Sequence, residues 1–339
     1  MAPKWKNRPE GSNWGEFGDD DQLGRINMLT PERVRQGAAE IKEGLSFCLS
    51  LPLDLPGGNL LNPRRHPPVF QPIMREGKVA FNFPLSEVNP VLNSMTCDDA
   101  VLLHMQYSTQ WDSLAHVGSQ FDADGDGIEE SVYYNGHSVL CEDTGAPTQG
   151  EVGACSLGIQ GMAESCVQGR GVLIDLNAHY GAARKHVNYD DLMGIMEADN
   201  ITVESGDMVL FHTGFGQYIM DCAGKPDREI LQTGYPVLDG HDPKLLQWIT
   251  DSGAVVIVTD NYAVEDNTTL PTEATEHGPL LPLHEHCLFK LGVHLGEIWY
   301  LSELATWLRE NKRSRFMLTA PPLRLPGAVG SPATPVATV

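Results

Sequence analysis

The chain has 339 residues, 41% hydrophobic and 20% charged, the proportions of a folded globular protein long enough to bury a sizeable core. Acidic residues outnumber Lys and Arg by 45 to 23, a formal net charge of -22, so phosphate backbones and anionic membrane surfaces are repelled and neither nucleic acid nor membrane is an expected partner. No apolar run reaches the ~18 residues of a membrane span, and the opening Met-Ala-Pro-Lys-Trp-Lys lacks the apolar segment of a secretion signal.

The cysteines are odd in number and scattered (Cys48, Cys97, Cys141, Cys155, Cys166, Cys222, Cys287) without a Cys-x-x-Cys pair. That pattern predicts reduced thiols in a cytoplasmic protein rather than a disulfide frame or a zinc ribbon.

In chain order, residues 1–25 read as an irregular arm rich in Trp, Gly and Asp. Thr30-Pro31 then supplies an N-cap and first-turn pair for a helix that Gly44 should end. Phe47 to Leu53 reads as a strand. Residues 56–84, punctuated by Gly57-Gly58, Asn62-Pro63 and Pro67-Pro68, form a long loop of the kind that covers a site.

Val101 to Met105 is an apolar run suited to a buried strand. Ala163 to Cys166 ends a short helix, Gly171 to Leu176 is strand-like, and Met208 to Phe211 is a buried strand leading into the turn Thr213-Gly214. Asp242-Pro243 caps a helix carrying Leu245, Leu246 and Ile249, which stops near Gly253, and Ala254 to Thr259 is the next buried strand. His284 to Leu291 reads as helical, and Leu301, Leu304, Ala305 and Leu308 mark an amphipathic helix. Residues 326–339, rich in Pro, Ala and Thr, read as a flexible tail. With no repeat and no linker, residues 1–325 are expected to form a single α/β domain with flanking helices.

Three constellations carry potential chemistry. The first is Gln106-Tyr-Ser-Thr-Gln110-Trp-Asp112-Ser-Leu-Ala-His116. Run out as an extended strand, it puts Gln106, Ser108, Gln110 and Asp112 on one face. Asp112 would offer a hard anionic oxygen and His116 a nitrogen ligand or general base, with the two glutamines as weaker amide ligands. The bland alternative is a polar strand end whose glutamines tie down a neighbouring loop.

The second is Leu283-His284-Glu285-His286-Cys287 with Glu297 beyond it. On a helix His284 and His286 point about 200° apart, so at most one faces a given ion. Solvated histidines on a surface helix are the alternative. The third, Asp122-Ala-Asp-Gly-Asp126-Gly-Ile-Glu129, has the first half of a calcium loop but Tyr133 where the twelfth-position glutamate belongs. An acidic turn is the simpler reading. Asp260 and Glu265 follow a buried strand, where open α/β sheets place functional loops. Signatures for nucleotide binding (Gly-x-Gly-x-x-Gly, the P-loop) and for a Gly-x-Ser-x-Gly nucleophile elbow do not occur.

The first motif resembles the His-x-Gly-Thr-His-x-Asp-x-Pro-x-His pattern of the cyclase family of metal-dependent hydrolases, which includes kynurenine formamidase and isatin hydrolase, with Gln106 and Gln110 in place of its first two histidines. Gly169-Arg-Gly-Val-Leu-Ile-Asp175, Gly206-Asp207 through Thr213-Gly214 (with His212 where arginine is usual) and Leu283-His284 through Gly296-Glu297 are similar to further family segments, in the same order. The likeness covers roughly residues 95 to 305.

It implies a swivelling β/β/α cyclase-like fold around a mixed β-sheet. It also implies a divalent metal, Mn²⁺ or Zn²⁺, with Asp112, His284 and Glu297 as retained ligands, and Gln110, Gln106 and His286 as further candidates. His116 is then the acid/base, with Trp111 and Tyr107 lining the substrate. The activity implied is hydrolysis of an amide, lactam or lactone bond in a small carbonyl compound by a homodimer or homotetramer. A metal-free binding protein on the same fold and a metal-dependent lyase or cyclase are the alternatives.

Overall fold

The computed structural model describes residues 4–141, 152–266 and 278–339. Its centre is a nine-stranded mixed sheet built from β1 (Ser46–Cys48), β2 (Gln110–Asp112), β3 (Gln168–Asp175), β4 (Met208–His212), β5 (Val256–Thr259), β6 (His294–Glu297), β7 (Arg315–Thr319), β8 (Gly330–Pro332) and β9 (Val336–Thr338). Their order across the sheet is β1-β9-β7-β3-β4-β5-β6-β2-β8. The four middle strands, β3 to β6, run parallel to one another, while β7 and β2 flank them antiparallel. Strands buried on both faces are continuous apolar runs, which is how Met208 to Phe211 and Ala254 to Thr259 read.

Alternation along these strands separates two cores. Val172, Ile174, Val209, Phe211, Ile257 and Leu295 face one side. They pack under helices α4 (Tyr189–Ala198) and α7 (Pro243–Ser252) and under the turns Pro282–His284 (α8) and Glu285–Leu291. Leu173, Met208, Leu210, Val256 and Val258 face the other side, covered by α2 (Ile159–Glu164) and α9 (Ser302–Glu310). The remaining helices are α1 (Pro31–Ala38), α3 (Leu176–Tyr180), α5 (Phe215–Cys222) and α6 (Arg228–Thr233).

Thr30 caps α1 as expected, accepting from the Arg33 amide, but the helix ends at Ala38 rather than Gly44. The N-terminal arm is irregular yet packed: Trp14 is 1% exposed and donates its indole N–H to the Phe289 carbonyl at 2.8 Å. Among the described residues no helix is long and apolar enough to cross a membrane.

Three expectations are corrected. Residues 326–339 are not a mobile tail: β9 lies between β1 and β7, and β8 extends the sheet beyond β2. Ala333, Ala337 and Val339 are buried there, so small side chains that look like linker composition are what fits beneath the covering layer, and Pro332 is tolerated because β8 is an edge strand. Cys141 and Cys155 are paired, their Cα atoms 5.3 Å apart, within disulfide range; the other five cysteines are separate.

The third correction concerns Val101 to Met105, which is not a buried strand. Asp99–Leu102 pairs with Val69–Pro72 in a projecting arm whose residues are exposed. The arm continues through the pairs Met74–Arg75 with Lys78–Val79 and Phe83–Pro84 with Met95–Thr96. Phe70 and Phe81 on it are 73% and 61% exposed.

Candidate metal centre

Strand β2 is short because residues 106–109 turn rather than extend, so only Gln110 and Asp112 share the face that alternation predicts. In the register of β2 against β6, Gln110 lies opposite Glu297 and Asp112 opposite Leu295. His284 comes from α8 above the same face. Ligand atoms of Asp112, His284 and Glu297 all lie within 4.8 Å of one another, and all three residues are buried.

Both carboxylate oxygens of Asp112 are buried without a hydrogen-bond partner, as is Oε1 of Gln110. Gln110 donates through Nε2 to Glu297 Oε2 at 3.1 Å, which leaves its oxygen free. The Nε2 atom of His284 is 3.2 Å from Glu297 Oε1. Buried polar atoms are rarely left unpaired, and the Asp112 oxygens lie close to Glu297 and His284. A divalent cation there would satisfy them. Two carboxylates and one imidazole are donors of the kind that hold divalent metals.

The buried acids and the imidazole of the cluster shift one another strongly. Burial raises the Asp112 carboxyl above the ordinary range, and Glu297 pushes it further, against lowering by His116, His284 and Arg65. Burial alone would deprotonate His284, but hydrogen bonds to Glu265 and Glu297 outweigh it and hold the ring's proton well above the usual histidine range.

Glu265 is what orients that ring. Its Oε1 accepts from the His284 amide and from Nδ1, both at 2.8 Å, and Oε2 accepts from the Leu283 amide at 3.0 Å. Nδ1 is thereby committed, and Nε2 is directed at Glu297. The Glu265 backbone bridges to Leu238, so the carboxylate is carried by the chain leaving β5. Its place after a buried strand was legible; its partnership with His284 was not.

His116 is less than a quarter exposed and brings Nε2 to 3.8 Å from Asp112 Oδ1, beside the cluster and open to solvent. Gln106 also reaches this end. Its amide lies over Gly330, the residue paired with Asp112 in β8, in space that any side chain at 330 would fill. Arg65, from the long loop, donates to the Gln106 carbonyl at 2.8 Å, and its charge is felt at Asp112. No sequence signal marked it out among the loop's arginines.

Three candidates fall elsewhere. His286 turns away and pairs through Nε2 with Thr250 Oγ1 at 2.9 Å, the outcome its angular separation from His284 required. Burial pulls its pKa down to about 4. Trp111 points to the opposite sheet face, fully buried, and donates its indole N–H to the Ala320 carbonyl. Alternation that brings Gln110 and Asp112 inward must send Trp111 outward. Tyr107 spends its hydroxyl on the loop, donating to the Gly58 carbonyl and accepting from the Gly57 amide. It holds the loop in place rather than facing a ligand.

A family model described as Putative cyclase matches residues 49–266. A crystal structure of a novel cyclase is 30% identical, covers 97% of this chain and 97% of its own, and superposes with a TM-score of 0.73. Isatin hydrolase A from Labrenzia aggregata, bound to benzyl benzoate, is 13% identical with a TM-score of 0.53 over 89% of this chain and 95% of that one. An isatin hydrolase bound to the product analogue thioisatinate is 14% identical with a TM-score of 0.52 over 89% and 94%. At such identity the likeness to the isatin hydrolases is one of fold. No curated protein sequence matches the chain.

Proposed function

The chain belongs to the putative cyclase family, and from that premise we propose that it is a metal-dependent hydrolase opening an amide, lactam or lactone bond of a small molecule. The observation that carries this reading is the fully buried Asp112 carboxylate, both oxygens unpartnered, converging with His284 and Glu297 beside His116. Asp112, His284 and Glu297 would hold the ion, with Gln110 Oε1 as a fourth donor. When bound, a divalent metal at such a site supplies Lewis acidity toward a carbonyl oxygen and lowers the pKa of a water.

The chain's own residues do the rest. His116 takes a proton from water as its oxygen attacks the carbonyl carbon, and returns it to the departing nitrogen or oxygen. Glu265 fixes which nitrogen of His284 faces the cluster. Gln110 holds Glu297 in place through Nε2, so the glutamine that replaces a family histidine remains part of the centre.

Protein purified without chelator should carry about one manganese or zinc ion per chain by elemental analysis, and product formed in H₂¹⁸O should carry one label. Metal below about a tenth of an ion per chain, with no turnover restored by Mn²⁺ or Zn²⁺, would refute the hydrolase and favour a metal-free binding protein. Turnover without label would favour a lyase or cyclase.

The assembly proposed with this function is a homodimer or homotetramer. The arm of residues 69–102 supports it, because Phe70, Phe81 and Val91 stand 73%, 61% and 83% exposed, more apolar surface than a monomer ordinarily leaves to water. Phe70→Asp with Phe81→Asp is expected to lower the sedimentation mass without loss of secondary structure. A wild-type chain that sediments as a monomer at micromolar concentration would contradict it.

A further inference from the structure

A second cluster lies on the other face of the sheet. Asp175 ends β3 and His212 ends β4, directly opposite each other in the parallel register. They share the parity of Leu173 and Leu210, whereas Glu297 shares that of Leu295 on the opposite core, so the sheet separates them from the metal centre. The Nδ1 atom of His212 is 2.7 Å from Asp175 Oδ1, and its Nε2 is 3.0 Å from the hydroxyl of Ser302, the first residue of α9. Asp175 is held in turn by Arg309 at 2.6 Å and by the Ala178 amide at 3.1 Å. Carboxylate to Nδ1 and hydroxyl to Nε2 is the connectivity by which a histidine activates a serine.

His212 and Ser302 open into a cavity of about 760 Å³. Phe47, Tyr218, Tyr235 and Trp307 line it, with Asp221 and Glu310. The amides of the first turn of α9, which no side chain caps, are donors available beside Ser302 for a developing oxyanion.

We propose that Ser302, His212 and Asp175 form a second hydrolytic site, independent of metal, that acts on small neutral aryl esters. The aromatic walls suit an aryl group, and on the rim Asp221, Glu303 and Glu310 outnumber the cation Arg309, which disfavours carboxylates. Ser302 Oγ attacks the ester carbonyl while its proton passes to His212 Nε2. The bond to the leaving aryloxide breaks as that proton is delivered to it, leaving an acyl-serine. Water, deprotonated by the same histidine, then releases the carboxylic acid and restores the hydroxyl.

The groups facing the ring set its working range. Burial disfavours the charged form, but the hydrogen bond to Asp175 and the charges of Asp260 and Asp175 outweigh it against Arg309, so the ring keeps its proton above the ordinary histidine pKa. The serine is therefore activated on the alkaline side.

The test is labelling of the full-length protein with an alkyl fluorophosphonate at pH 7 and pH 9, read by intact mass and peptide mapping. One adduct per chain on Ser302 is expected, faster at pH 9, unaffected by EDTA, and slowed by about 10²-fold or more in His212→Gln. Hydrolysis of p-nitrophenyl acetate by the EDTA-treated protein should be lost in Ser302→Ala. Absence of a Ser302 adduct in the wild-type protein at pH 9, or labelling that persists unchanged in folded His212→Gln, overturns the proposal. If His212→Gln does not fold, the wild-type adduct map and the Ser302→Ala assay decide it. Because chelation leaves this reaction untouched, its failure is separable from failure of the metal-dependent reading.

Discussion

Replacing Asp112 with asparagine is expected to abolish metal retention and to cut turnover by about 10³-fold or more, while the metal-free protein becomes more stable at neutral pH. The two effects have opposite signs because they report on different states. With an ion bound, Asp112 contributes the anionic oxygens around which Gln110, His284 and Glu297 are arranged. Without one, it is a buried carboxylate with no hydrogen-bond partner, whose ionised form is disfavoured by burial and by Glu297.

The sign follows from linkage. A carboxyl whose folded pKa is raised above its unfolded value costs nothing at low pH, where it is protonated in both states. It destabilises progressively as pH climbs from the ordinary carboxylate range through the folded value of about 6. Asparagine has nearly the same shape and no proton to lose, so it removes that penalty. Thermal melts of chelated wild-type and Asp112→Asn proteins should coincide near pH 4 and separate in favour of the variant at pH 7.5. A variant that keeps wild-type metal content would show that the ion sits elsewhere.

Local periodicity gives only part of this cluster, and the set Asp112, His284 and Glu297 comes from the family resemblance. A period of two places Gln110 and Asp112 together, and a helical angle separates His284 from His286. The same alternation, carried one residue further, already assigns Trp111 to the opposite face. What could not be read belongs to long-range pairing. Nothing local ties Glu265 to a histidine 19 positions on, or brings Arg65 to the Gln106 carbonyl. The closing strands β8 and β9 are three residues each, too short for a periodic signal, and they take their place by pairing with β2, β7 and β1. Val101 is apolar in sequence and exposed in the structure, because a short apolar run does not record whether the rest of the chain folds over it. His212 and Asp175 share one row only through the parallel register of β3 and β4, and Ser302 joins them from 90 residues away.

The second large effect is expected at Glu265, and two substitutions separate its roles. Glu265 satisfies three buried donors, the amides of Leu283 and His284 and the His284 ring. Glu265→Ala strands all three, and an unsatisfied buried donor costs about 1–3 kcal/mol. The total is a large part of the roughly 5–15 kcal/mol by which domains are stable, so this variant should be poorly soluble or unfold early. Glu265→Gln keeps one carbonyl acceptor and places an NH₂ where the second oxygen stood. If that oxygen is retained toward the His284 ring, the ring stays oriented but loses the negative charge behind it. Metal affinity is then expected to fall by about 10–100-fold, measured by calorimetry, with kcat recovering toward wild type at saturating Mn²⁺. A residue that merely supports the fold would lower the melting temperature in both variants and leave the metal dissociation constant of Glu265→Gln unchanged. An unchanged constant would therefore remove Glu265 from the machinery of the site and leave it a role only in joining the end of β5 to α8.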